Sequence, residues 1–111
     1  MDEKEIIARL GAVKDHYAEV GKQLNDPDVM SEMKRYVKLS KEYKDLEPVV
    51  QAYEDYVLMC ENLKNSKEIA HNEKDEEFRE MARAEVDNLE EKKAKAEEEI
   101  KVLLVPKDPE D

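Results

Sequence analysis

The sequence has no tryptophan, one phenylalanine, one cysteine and only two glycines. Each scarcity removes a class of function. A single thiol, Cys60, closes no disulfide within the chain, which excludes a small secreted fold held together by disulfides. Gly11 and Gly21 stand alone, so neither a phosphate-cradling Gly-rich loop nor a dinucleotide-binding fingerprint can be written. Long hydrophobic runs are missing as well. The run Val102–Val105 is far short of the ~20 apolar residues that span a bilayer. The opening Met1-Asp2-Glu3-Lys4-Glu5 is acidic and lacks the apolar stretch of a signal peptide, so the expected location is the cytoplasm.

What the sequence does have is charge. Of 111 residues, 19 are basic and 30 acidic, which gives a net charge of −11 with 44% of residues charged. The length suits one domain of ordinary size. The acidic excess repels phosphate, so direct nucleic-acid binding by this chain is not expected.

Hydrophobic spacing then sets the fold class. In the first segment Ile6, Leu10, Val13, Tyr17, Val20 and Leu24 step by fours and threes, the stripe of one helix over about residues 2–24. Asp2 with Glu5 three residues on reads as a capping box. Asn25-Asp26-Pro27 stops the helix, because the residue before proline is pushed out of the α region. Pro27 can open one helical turn in the connector that follows. Ser31 is a good N-cap for a second helix over about residues 31–67, with Glu32 in its first turn. The stripe of that helix is Tyr36, Leu39, Tyr43, Leu46, Val50, Tyr53, Val57 and Cys60.

Pro48 interrupts this run. An interior proline removes one ladder bond and costs roughly 3 kcal/mol. The stripe keeps phase from Leu46 through Val50 to Tyr53, which favours one continuous helix kinked at Pro48 over two helices broken at Glu47. Residues 65–74 are polar and read as a second connector, with Asn72 or Asp75 as the cap of a third helix over about residues 75–104. The third seam is Phe78, Ala82, Val86, Leu89, Lys93, Ala96, Ile100 and Leu103. It is thin at Lys93, whose stem can lie along a partner while its ammonium reaches water. Pro106 and Pro109 end the helix and give residues 106–111 the character of a linker into a further domain.

Helices of roughly 35, 55 and 45 Å are long for a compact domain of this size. The expected architecture over residues 1–105 is therefore all-α: an elongated antiparallel three-helix arrangement with coiled-coil-like packing. A self-contained helical adaptor or coiled-coil spacer shares the same stripes and is the alternative. The tyrosines Tyr36, Tyr43, Tyr53 and Tyr56 read as core.

Chemistry is scarce. Glu68-Ile69-Ala70-His71 has the Glu-x-x-His spacing of di-iron bundles, but two such pairs are needed and Val13 stands three residues before His16. Asp26-Pro27-Asp28 begins like a calcium loop, yet Ser31 occupies the position that needs glycine. Cys60 lies on the apolar stripe and reads as a buried structural thiol. Glu90-Glu91 and Glu97-Glu98-Glu99 interleave with Lys92, Lys93 and Lys95 as on a solvated helix face. No catalytic, cofactor-binding or metal-ligating residue is assigned, no cofactor is expected, and partner-binding residues stay open.

The wording of the connectors carries more. Leu24-Asn25-Asp26-Pro27-Asp28-Val29, then Leu39-Ser40-Lys41-Glu42-Tyr43, then Leu46-Glu47-Pro48-Val49-Val50, and finally Leu103-Leu104-Val105-Pro106-Lys107-Asp108-Pro109, resemble the N-terminal domain of bacterial class I peptide chain release factors. The resemblance covers essentially the whole chain and is weakest around residues 65–80. The second and third runs are closer to the type that reads UAA and UAG than to the type that reads UAA and UGA. The resemblance implies a role in translation termination at the ribosome. It implies a position near the stalk base of the large subunit, beside a ribosomal protein as well as RNA. The codon-reading tripeptide and Gly-Gly-Gln loop of the family have no counterpart here, since the chain has no Gly-Gly pair. The expectation is a module that is not itself an enzyme.

Overall fold

Asp2 opens the first helix as its sequence position foretells. In the structure, a computed structural model that describes residues 1–105, the Asp2 carboxylate accepts a 2.8 Å hydrogen bond from the Glu5 amide. Only half of the capping box forms, because the Glu5 carboxylate pairs with Arg9 instead. Helix α1 spans Glu3–Leu24 and ends at Asn25, whose side-chain amide donates to the Gly21 carbonyl at 3.2 Å. Asp26 caps a single turn, α2 (Pro27–Met30), with proline at its first position where no amide is needed. Helix α3 then runs unbroken over Met33–Asn72 with Pro48 inside it. Helix α4 spans Glu76–Leu103, capped by Asp75, which accepts from the amides of Glu77 and Phe78. The chain is all-α, with no strand among the described residues. The Pro-rich segment 106–111, read above as a linker, lies outside them.

The chain divides into two compact units, Met1–Glu54 and the part from Asp55 onward, and α3 contributes to both. In the first unit α1 runs antiparallel to the first part of α3. Gly21 and Tyr17 lie against Tyr43, while Gly11 lies against Tyr53. Ile6, Leu10, Val20, Val29 and Val50 are buried. In the second unit the later part of α3 and α4 form an antiparallel pair, tied by Tyr56 to Glu97 and by Lys67 to Glu90. Tyr56, Leu63, Ala82, Leu89 and Ile100 are its buried residues.

Several boundaries differ from the sequence reading. Ser31 does not cap α3: its hydroxyl donates to the Asp28 carbonyl at 2.9 Å, so it closes α2. The first bond of α3 is accepted by the Glu32 carbonyl from the Tyr36 amide. The second helix extends to Asn72, past the expected end at Lys67. Leu63 is buried and Ser66, Ala70 and Glu73 are half-buried at helical spacing, so the packed stripe continues in small and polar residues that apolar periodicity overlooks. Asp75, not Asn72, caps α4. Phe78 and Leu103, placed on the α4 seam, are 59% and 40% exposed. The buried positions of the seam lie between Ala82 and Ile100.

Candidate functional site

The residues singled out for chemistry do not converge. Glu68 and His71 are both exposed on α3. Among the described residues no group of three or more His, Cys, Asp or Glu side chains could hold a metal ion. His16 pairs with Glu42 across the α1–α3 contact, and Asp26 spends a carboxylate oxygen on the Asp28 amide at 2.9 Å. Cys60 is half-buried, not fully buried, and faces the Tyr56 hydroxyl.

Tyr56 is the largest fully buried side chain in the described residues, and its hydroxyl donates a 2.6 Å hydrogen bond to Glu97. Burial above all, then this bond, pushes its pKa well above the usual tyrosine value, so it stays protonated and neutral. In the first unit the Tyr17 and Tyr43 rings stack with centroids 4.1 Å apart and planes within 10°. The hydrogen bond between their hydroxyls, with some desolvation, pushes Tyr17 up to about 12. Lys14 sits 5.8 Å from the Tyr53 ring centroid and 3.2 Å from Glu54. These are fastenings between helices. None presents a nucleophile or a general base to a cavity.

What the structure offers instead is surface. In the second unit an apolar groove of about 490 Å³ is lined by Ser66, Ile69, Glu73, Phe78, Ala82 and Glu85. Ile69, Phe78 and nearby Met81 are 49%, 59% and 61% exposed. A second depression pairs Lys67, His71 and Arg83 with Asp87. Charge is uneven too. Residues 1–54 carry nine basic and twelve acidic side chains, whereas residues 55–111 carry ten and eighteen. An interaction module, with helices holding side chains at fixed spacing, is what this arrangement can be.

Comparison with known proteins decides the family. The PCRF domain matches residues 13–111. The chain belongs to the PCRF domain family. It is 44% identical over 106 residues to peptide chain release factor 1 of Clostridioides difficile (strain 630), which covers 96% of this chain and 30% of that protein. Peptide chain release factor 1 of Parabacteroides distasonis is 44% identical over 111 residues, covering 100% of the chain and 30% of the relative. The same protein of Bacteroides fragilis is 43% identical over 110 residues, again 30% of its length. This PCRF chain thus spans about a third of the length of the curated relatives it matches. No solved structure matches it. The ordered motifs of the connectors carried the family signal, and they shape turns and helix starts, with Asp26-Pro27 capping α2 and Pro48 lying within α3.

Proposed function

We propose that this PCRF domain is the N-terminal helical module of a class I peptide chain release factor of the UAA- and UAG-reading type, acting in translation termination in the cytoplasm. The observation that carries the reading is 44% identity along the whole chain to proteins named peptide chain release factor 1. In this reading the module has no catalytic role of its own. Codon reading and peptidyl-tRNA hydrolysis belong to other parts of the factor, consistent with the lack of any Gly-Gly pair here. The module's task is to hold the factor at the ribosome, against protein at the base of the large-subunit stalk. The acidic excess of residues 55–111 and the exposed Ile69, Phe78 and Met81 suit a contact with a basic protein surface.

The test is the complete reading frame and its product. The frame should continue into a Gly-Gly-Gln segment, and the purified product should release peptide from ribosomes stalled at UAA and UAG but not at UGA. A frame without that segment, or release at UGA in place of UAG, overturns the proposal. Deleting the module from the active product should weaken ribosome binding more than it slows release at saturating factor.

A further inference from the structure

In the second unit the pair formed by α3 and α4 leaves one face uncovered close to its connector. Ser66, Ile69 and Glu73 step by three and four along α3, and Phe78, Ala82 and Glu85 step by four and three along α4. Each set therefore lies on one side of its helix. The six line a single groove. Because the helices run antiparallel, the two rows lie side by side. Glu73 and Phe78 stand nearest the connector, and Ser66 and Glu85 stand farthest from it. Each row advances seven residues, about 10.5 Å of helix axis. Ala82 is buried and Ser66 half-buried, so small side chains make the floor. Ile69 and Phe78 stand exposed on opposite banks, with Met81 one turn on from Phe78. A carboxylate closes each end. Single exposed apolar residues are ordinary, but three around one groove form a patch of the kind that marks an interaction site. The surroundings are acidic. Residues 66–85 carry seven acidic and four basic side chains, and Arg79 and Arg83 are held by Glu76 and Glu80 of their own helix.

We propose that this groove seats an amphipathic helix of a basic partner protein as a third helix beside α3 and α4. The occupant rests on the reading above of a module held against basic protein, and it names the element that makes the contact. Length favours a helix. Anchors at i, i+3, i+4 and i+7 span about 10.5 Å, the length of the groove, and are the spacing by which helices fill such grooves. An aliphatic anchor descends over Ala82 and Ser66, between Ile69 and Phe78. Met81, unbranched and adaptable, packs along its edge. Lysines or arginines flanking the anchors meet Glu73 and Glu85. Charge selects among the occupants. A second copy of this unit brings its own acidic excess, ten basic against eighteen acidic side chains over residues 55–111, and a lipid surface is negative as well. A small molecule would stay half in water, because the groove is open along its length, whereas small-molecule sites bury about 70–90% of the ligand.

The test titrates the isotopically labelled chain with a designed helical peptide of about 15 residues, leucine at i, i+3, i+4 and i+7 and lysine and alanine elsewhere, and follows amide chemical shifts. Two further peptides are the controls. One has the same composition with its leucines scattered around the helix, and the other has glutamate in place of lysine. Shifts should centre on residues 66–85 and spare residues 3–24. Both control peptides should bind at least about tenfold more weakly. The double variant Ile69→Ser, Phe78→Ser should lose at least about tenfold, because it removes both banks. Val37→Ser, Leu58→Ser removes two exposed apolar side chains elsewhere and should lose less than about twofold. Glu73→Gln, Glu85→Gln should lose about two- to fivefold and flatten the salt dependence. Circular dichroism checks that the variants stay helical, and the control peptides decide the matter on the unaltered chain if one does not. No shift at residues 66–85, equal binding of the scattered peptide, or equal binding of the acidic peptide overturns the proposal. So does a shift of the same residues on simple concentration of the chain, which would make a second copy the occupant. Failure here leaves the reading-frame test untouched, and failure of that test leaves a measured helix-binding groove standing.

Discussion

Helix α1 turns both of its glycines toward tyrosines of α3, and replacing each by alanine should have opposite effects. A Cβ added at Gly21 would lie 2.9 Å from Cε1 of Tyr43, too close for any carbon pair. The Tyr43 ring cannot simply retreat, because its face is stacked on Tyr17 at 4.1 Å. At Gly11 the nearest atom would be the Tyr53 hydroxyl oxygen at 3.6 Å, an ordinary contact. Helix propensity alone favours alanine by about 0.8–1 kcal/mol at either position. At Gly21 this gain is opposed by about 1–3 kcal/mol of overpacking. Part of the ~0.5–1.5 kcal/mol carried by the aromatic pair is lost as well. The balance is a loss of about 1 kcal/mol for Gly21→Ala and a gain of about 0.8 kcal/mol for Gly11→Ala. Urea titration followed by far-UV circular dichroism measures both, and thermal midpoints should separate by about 4–8 °C per kcal/mol or slightly less. In a Tyr43→Ala background Gly21→Ala should become stabilising, because its obstacle is gone. The Tyr17 hydroxyl supplies a second readout. Moving Tyr43 breaks the bond that holds Tyr17 near 12, so its ionisation should move back toward the usual tyrosine value in Gly21→Ala. If Gly21→Ala is as stabilising as Gly11→Ala and Tyr17 does not move, the close packing of α1 on α3 is refuted.

Three further outcomes follow from the same contacts. Tyr56→Phe deletes the 2.6 Å bond to Glu97 and leaves a half-buried carboxylate short of a donor, a loss of about 1.5–2 kcal/mol in urea titration. Tyrosine pKa values raised in the folded state make stability pH-dependent in one direction: the unfolded chain begins to lose its tyrosine protons near pH 10 while Tyr17 and Tyr56 keep theirs. Stability should therefore be flat below about pH 9 and fall as pH rises beyond 10, less steeply in Tyr56→Phe. Pro48→Ala restores a ladder donor inside α3 and should raise helicity and stability by at least about 1 kcal/mol of the ~3 kcal/mol an interior proline can cost; a drop in helicity would show that the proline starts a helix instead.

The parts of the fold that were legible are those where one apolar stripe meets one partner. Every stripe position of α1, from Ile6 to Leu24, is buried or half-buried, and the caps Asp2 and Asp26 stand where their carboxylates reach a free amide. The continuity of α3 was legible because the stripe keeps phase across Pro48. Its later part was not. There Tyr56, read as core, is fully buried, but Leu63 is buried outside the stripe of Tyr53, Val57 and Cys60, and that stripe is only half-buried. A helix that packs on α1 in one unit and on α4 in the other has no single apolar face, and a pattern extrapolated from its first half misses the second. Ser66 and Ala70 were missed for a related reason: small residues pack by letting a neighbour approach, which leaves no hydrophobic signature. At Ser31 two hydrogen-bonding choices compete. The Asp28 carbonyl at the end of α2 takes the hydroxyl at 2.9 Å, and Ser31 closes α2 instead of opening α3.

Net charge shows the same difficulty in electrostatic form. Summed over the chain it argues against any polyanion, and the sum is correct, but a binding surface responds to charges within about a Debye length, ~10 Å at 0.1 M salt. On that scale the neighbours of Lys38 include Lys34, Lys41 and Arg35, which lie within about 6 Å of it along the axis. Across the α1–α3 contact His16 and Lys14 pair with Glu42 and Glu54, and the five basic residues at the start of α3, Lys34, Arg35, Lys38, Lys41 and Lys44, stay exposed.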